Sequence, residues 1–350
     1  LHRSKMHFLI SATYSGTGER VNDECFYLFK FAQKIYMSEY RNHPLYKAYT
    51  IDTMMNSVWE FYKKNFLVLF IVSLLFALTS QYFSSLMMID LSSIQSETDP
   101  MVLLEKLKEF MAPMAILSLI NLLFSVIIQH YIIVNPMDTE NNILKSFVRS
   151  LKYYIPFLIL IILLSFAGAI AIVLGLFMLV VGAFFAAIYI AAIYLFILPV
   201  MIVEGTDIGS TINRVFALLH RRFWTNFGWV AVFIAMLLVI SMVLSGLILL
   251  PFSADFLKTI INPENASEVA DVTKSPLYFI LTSLVNALTL PLMPVFAAIL
   301  YFNAKAAEDK KQQEYSPGND EARVKVEDLY AKPYSDGHPD NPENKKDGVN

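Results

Sequence analysis

The sequence predicts an all-α integral membrane protein: six transmembrane helices as three hairpins, each preceded by an amphipathic interfacial helix. Three observations carry this. Of 350 residues, 56% are hydrophobic and only 16% charged, and mean hydropathy is +0.52. Soluble domains run near roughly 45–50% apolar with about 25% charged residues. Six windows stay apolar for the roughly 20 residues a helix needs to cross the hydrocarbon core. Stretches of helical periodicity with basic residues near their ends precede the first, third and fifth windows. A net charge of −3 gives no footing for a nucleic-acid partner, which calls for a clustered basic surface. One cysteine, Cys25, excludes a disulfide scaffold within the chain and any Cys-based metal cluster.

The expected domains are a cytoplasmic N-terminal arm (1–50), a membrane domain (51–311) and a disordered cytoplasmic tail (312–350). Within the arm, the apolar patch at 26–37 is interrupted by Lys30 and Lys34, and no cleavable targeting pattern follows. The chain opens on Leu1, so 1–36 reads either as an upstream mis-start, with Met37 the natural beginning, or as a genuine arm. The tail is charged and broken by Pro317, Gly318, Pro333, Gly337, Pro339, Pro342 and Gly348, which argues for disorder.

The first span is expected at 65–88, after a periodic stretch at 51–66 that ends near Lys63 and Lys64. The second is expected at 111–135. A stretch at 142–155, carrying Lys145, Arg149 and Lys152, leads into the third at 154–177. The fourth, at 180–203, continues the third without a single charge from Tyr154 to Val203. Fifty residues of helix would be roughly 75 Å long, far more than a bilayer holds. The run must therefore fold back near Gly175 to Gly182.

A stretch at 208–224 leads to the fifth span at 229–250, and the sixth is expected at 277–302. In 208–224, Ile208, Ile212, Val215, Phe216, Leu219 and Phe223 share one face at the i, i+3, i+4 spacing, with Arg214, Arg221 and Arg222 elsewhere. Asp52 and Asp207 stand near helix starts, where a carboxylate can cap exposed N–H groups. Ala183, Ala187 and Ala191 form a small-residue ridge, and Gly168, Gly175 and Gly182 recur every seven residues, allowing close helix approach. Pro291 and Pro294 should kink the sixth span by freeing carbonyls near Ala287 and Leu290, and Pro199 should act likewise on the fourth.

Orientation follows the Lys and Arg of the short loops. Arg41, Lys47, Lys63, Lys64, Lys145, Arg149, Lys152, Arg214, Arg221, Arg222 and Lys305 fall on one side. Asp90, Glu97, Asp99, Asp255, Glu264 and Asp271 fall on the other, with fewer basic residues there, Lys106, Lys108, Lys258 and Lys274. Both termini are therefore expected in the cytoplasm, with the chain in the inner membrane. An apolar face beside a basic end lets a helix lie at the interface and reach anionic headgroups. Lys63, Lys64, Arg149, Lys152, Arg221 and Arg222 are the candidate contacts. The same stretches also read as juxtamembrane extensions whose charges only fix topology.

Catalytic chemistry is hard to find. No Asp, Glu, Lys or Arg falls inside a span, whereas ion-coupled transporters usually need such residues at depth. Asn121, Gln129 and His130 on the second span and Asn286 on the sixth are the polar groups that remain. Asn121 and Asn286 lie near mid-depth, where they either bond across helices or line a small polar cavity. The histidines are not spaced as metal ligands, and neither a phosphate-binding Gly loop nor a nucleophile elbow occurs. Glu204, at the exit of the fourth span, reads as a helix-end ion pair with Arg221 or Arg222 nearby. No cofactor is expected.

Residues from about 51 to 310 resemble a bacterial membrane-domain family related to the membrane portion of glycerophosphoryl diester phosphodiesterases. The carrying segments are Leu198-Pro-Val-Met-Ile-Val-Glu-Gly205 with the amphipathic stretch after it, and Ala298-Ile-Leu-Tyr-Phe-Asn-Ala-Lys305. Phosphodiesterase activity in that family belongs to a separate soluble domain with a His-Arg-Gly motif. His2-Arg3-Ser4 departs from it, so the resemblance implies no catalysis here. The expected function is non-enzymatic, a scaffold or lipid-interacting accessory factor with anionic membrane lipids as partners and a protein partner or a homo-oligomer also open. The alternative is a transporter or channel for a lipid-like or weakly polar solute.

Overall fold

A computed structural model describes residues 40–86, 100–138, 142–205, 207–253 and 275–314. The arm before Tyr40, the acidic loop residues named above and the tail beyond Glu314 lie outside the described residues. Six helices are long and apolar enough to cross a membrane, the architecture of a multi-pass membrane protein. No strand occurs among the described residues. The chain divides into two compact units at Ala306/Ala307, and every feature discussed below belongs to the first.

In chain order the helices are α1 (Ile51–Lys64), α2 (Phe66–Leu86), α3 (Pro100–Val134), α4 (Ile143–Phe177), α5 (Leu179–Glu204), α6 (Ile208–Arg221), α7 (Phe223–Leu249), α8 (Pro276–Thr289) and α9 (Leu292–Glu314). Local chemistry sets several ends. Thr50 caps α1 in a reciprocal capping box with Thr53, so Asp52 lies in the first turn and is not the cap. Asp207 does cap α6, accepting from the N–H groups of Gly209 and Ser210. Its carboxyl is held below the usual range, chiefly by the Ser210 hydroxyl. Gly205 ends α5 at φ +60°, the left-handed conformation that glycine adopts without strain.

Two expected elements differ. The stretch at 142–155 is not a separate interfacial helix: α4 runs unbroken for 35 residues, with Pro156 inside it. Pro156 removes one N–H but arrives after the helix is well established, and no cap or glycine divides the stretch from the span. Conversely, α6 and α7 break at Arg222 (φ −137°, ψ 54°), so the fifth membrane helix begins at Phe223, before the expected 229. Consecutive spans pack strongly at α4 with α5 and at α3 with α4, whereas α2 lies chiefly along α8 and only lightly on α3.

Between α4 and α5 the chain turns within a single residue, Met178. Gly175 and Gly182 make this possible. A Cβ built on Gly182 would collide with the Gly175 carbonyl oxygen, and one on Gly175 would sit 2.7 Å from the Gly182 backbone.

The sixth span is two helices, with Leu290 and Pro291 between them. Pro291 and Pro294 carry no N–H, so the Ala287 and Leu290 carbonyls lose their helical donors. Part of the break is satisfied from outside, because the Tyr62 hydroxyl of α1 donates to the Leu288 carbonyl at 3.1 Å.

Burial is uneven along the spans. Ala192–Glu204 of α5, save half-buried Tyr194, and Val295–Ala304 of α9 are buried throughout, as are the last turns of α3. Phe233 of α7 stacks on Phe296 of α9 with ring centroids 3.8 Å apart. At the other end, Phe177, Met178, Val181 and Phe184 are exposed, the surface expected to meet lipid. The core thus sits at the end where α1 and α6 pack.

Gly182→Ala is expected to destabilise the α4–α5 turn by about 1–3 kcal/mol, the usual range for forced overpacking. Gly168→Ala should be near neutral, since its Cβ would meet only the Ile190 side chain at 3.4 Å. Thermal unfolding in detergent measures the contrast, and equal Tm values for the two variants would refute the close-contact account.

Candidate functional site

Three consecutive residues at the packed end, Tyr301, Phe302 and Asn303, each hold a different part of the chain. The Tyr301 hydroxyl donates to Glu204 Oε1 at 3.0 Å, tying α9 to the end of α5. The Arg214 Nε of α6 donates to both oxygens of the same carboxylate, at 2.7 and 3.0 Å. Glu204 is buried, and Arg214 is about one-fifth exposed at its side chain. The expected ion pair at Glu204 therefore exists, but its partner is Arg214 rather than the expected Arg221 or Arg222.

Phe302 receives the segment before α1. His43 stacks on its ring at 4.3 Å, and Tyr40 and Tyr46 lie at 6.4 and 6.2 Å. Asn303 Oδ1 accepts from the Tyr49 N–H at 2.8 Å. His43 is buried, and its Nδ1 accepts from the Leu45 N–H at 3.1 Å, which assigns the neutral tautomer with the proton on Nε2. Burial pulls its pKa down from 6.5 to about 4, with the Ile133 carbonyl pulling weakly the other way.

The candidate headgroup contacts all remain exposed, on α1, α4, α6 and the α6–α7 junction. Lys63 lies 5.8 Å over the exposed Trp59 ring, and Lys152 lies 4.7 Å over Tyr153. Arg149 is engaged by Asp138 at 2.9 Å, a half-exposed pair of small energetic weight. Lys64, Arg221 and Arg222 flank this surface. The buried face of α6 is Thr211, Val215, Leu218 and Leu219, rotated from the expected one. Phe216 turns outward and stacks on His220, whose other neighbours are Phe223 and Tyr189. Exposed Trp224 extends this aromatic surface beside Arg221 and Arg222.

A cavity of about 80 Å³ lies between α3, α5 and the broken sixth span. Asn121, Ser125 and Gln129 line it from α3, Tyr194 and Pro199 from α5, and Leu290 and Pro294 from the break. Asn121 does not bond across helices; its amide donates to the Leu117 carbonyl of its own helix, and Ser125 donates to the Asn121 carbonyl. The Tyr194 hydroxyl faces Ser125. Gln129 is buried, and its Nε2 has no hydrogen-bond partner. A buried donor left unmade costs about 1–3 kcal/mol. Asn286 is half-buried and does not line this cavity.

Sequence reasoning missed Tyr301, Arg214 and His43 as organising residues and treated Gln129 only as a residual polar group. Periodicity has no bearing on which arginine reaches a carboxylate. Pro199 and the prolines of the sixth span were the one available signal for the cavity. Compared with protein-family models, curated proteins and solved structures, the chain matches none.

Arg214→Met is expected to cost about 3–5 kcal/mol, because it strands the buried Glu204 carboxylate, whereas a paired Glu204→Leu, Arg214→Leu variant should recover much of it. Unfolding midpoints of both variants in detergent decide this, and equal losses would refute the account. His43 gives a pH dependence. Its folded pKa lies below the unfolded value, so its contribution is complete above about pH 6.5 and is lost as pH falls towards 4. From pH 7.5 to 5 this amounts to about 2 kcal/mol. His43→Phe should flatten the Tm–pH curve over that window.

Proposed function

We propose that this protein is a non-enzymatic integral membrane protein, a scaffold or lipid-interacting accessory factor whose basic end engages anionic headgroups at the cytoplasmic face of the inner membrane. One observation carries the reading: α1 and α6 each end in exposed cations beside an exposed tryptophan, Lys63 and Lys64 with Trp59 and Arg221 and Arg222 with Trp224. Tryptophan favours the headgroup level, and Lys or Arg near the surface gains about 1 kcal/mol each from anionic lipid. The rigid packing of both helices against Glu204 and Tyr62 contacts holds these groups in fixed positions. That suits a surface for repeated binding of the same partner, lipid or protein.

A second reading is a transporter or channel for a lipid-like or weakly polar solute. The cavity beside Pro199 of α5 and the break in the sixth span supports it, since interrupted helices with freed carbonyls are a common way of building sites at membrane depth.

Arg221→Glu combined with Arg222→Glu is expected to lower retained phosphatidylglycerol about tenfold or more relative to phosphatidylethanolamine. Quantitative mass spectrometry of lipids extracted with the purified protein measures the ratio. An unchanged ratio would count decisively against headgroup engagement at this end.

A further inference from the structure

The cavity beside Pro199 and the break in the sixth span has a chemistry that narrows its occupant. On one wall, Gln129 is 2% exposed and its amide nitrogen lacks a partner. Buried polar groups in native proteins are bonded to protein, water or ligand, so this unpartnered donor, on a residue that lines the cavity, calls for an acceptor. The facing walls offer the complement. Leu195 and Leu290 line the cavity, and Pro199 and Pro294, each four residues on, deprive their carbonyls of the helical N–H. Ser125 and Tyr194 add hydroxyls.

No charged side chain lines the space. A charged ligand would be desolvated there without compensation. An aliphatic hydroxyl fits, because its oxygen accepts from Gln129 while its proton goes to a freed carbonyl. The size agrees: about 80 Å³ holds a hydroxyl-bearing fragment of a few heavy atoms, or about three waters. Asn121, part of the lining, is exposed on the helix surface near the middle of its span, so the lining reaches the lipid-facing surface there.

We propose that this cavity binds an uncharged, hydroxyl-bearing ligand, with Gln129 as donor and the Leu195 and Leu290 carbonyls as acceptors. The hydroxyl belongs either to a diacylglycerol entering past Asn121 or to a small polyol entering from water. The inference builds on the transport reading by naming the ligand chemistry, but what it asserts is binding.

The test uses the full-length protein in phosphatidylcholine nanodiscs with two probes, a diazirine-bearing diacylglycerol for photolabelling and radiolabelled glycerol for equilibrium binding. Labelling that maps to 111–134 or 276–302 and is displaced by unlabelled diacylglycerol identifies the bilayer source. Saturable glycerol binding identifies the aqueous one. In either case Gln129→Leu should reduce binding about fivefold or more, the worth of one buried hydrogen bond. Ser125→Ala, a smaller change, gives a second reading should the Gln129 variant not fold. Binding of neither probe above empty nanodiscs would mean that water alone fills the space, and would overturn the proposal. So would binding that persists undiminished in the folded variants. Glycerol flux into proteoliposomes separates the two ideas, because binding without flux keeps the site and removes the transport reading.

Discussion

A carboxylate buried at the end of a membrane helix is tolerable only when donors surround it, and Glu204 has them from two directions. Arg214 neutralises its charge while Tyr301 occupies a lone pair. Because these donors sit on α6 and α9, satisfying the charge fixes α5, α6 and α9 against one another. Replacing such a triad with apolar residues need not destabilise a protein, but losing one member does. The geometry therefore acts less as glue than as a specification: α6 has one register in which Arg214 meets Glu204. That register places Thr211, Val215, Leu218 and Leu219 inward and Phe216 outward.

From that clamp the rest of the packed end follows. Tyr301 is held by Glu204, so its neighbours Phe302 and Asn303 are presented at fixed angles to the segment before α1. His43, Tyr40 and Tyr46 close on the Phe302 ring, and the Tyr49 N–H is bound by Asn303. With this segment anchored, α1 starts at Thr50 in a position from which Tyr62 reaches the Leu288 carbonyl. The break in the sixth span is thereby capped by a helix anchored at the far side of the same span. A broken membrane helix needs such external donors, since the hydrocarbon supplies none.

Much of the architecture was legible because lipid imposes a simple rule. The six spans follow from apolar length, and the turn between α4 and α5 follows from a charge-free run too long for one bilayer. The prolines correctly marked the break in the sixth span. What could not be read were choices between equivalent local options. Arg214, Arg221 and Arg222 all lie within reach of Glu204 along the chain, and only the rotation of α6 selects the first. The continuity of α4 was equally hidden, because 142–155 has the same helical period whether or not it is joined to the span. The break at Arg222 involves neither Pro nor Gly and leaves no mark in the sequence. The cavity escaped for a different reason: Gln129, Pro199 and Pro294 are far apart in sequence, and their meeting is a product of tertiary packing.

The segments that suggested a family resemblance, 198–205 and 298–305, turn out to face each other across the Glu204–Tyr301 bond. Their near-total burial explains why they look alike in composition to other helix ends: both are shaped by packing at a polar–apolar boundary. Leu198 and Pro199 of the first segment also line the cavity, and Pro294 and Ala297 line it just before the second. A clamp and a cavity built on shared helix ends are mechanically connected. The cavity lies along the stretches of α5 and α9 that lead to Glu204 and Tyr301, and Arg214 ties that end to α6. The exposed Arg221, Arg222 and Trp224 surface lies at the far end of that helix. The exposed basic surface and the intramembrane cavity thus lie on helices that meet at a single buried carboxylate.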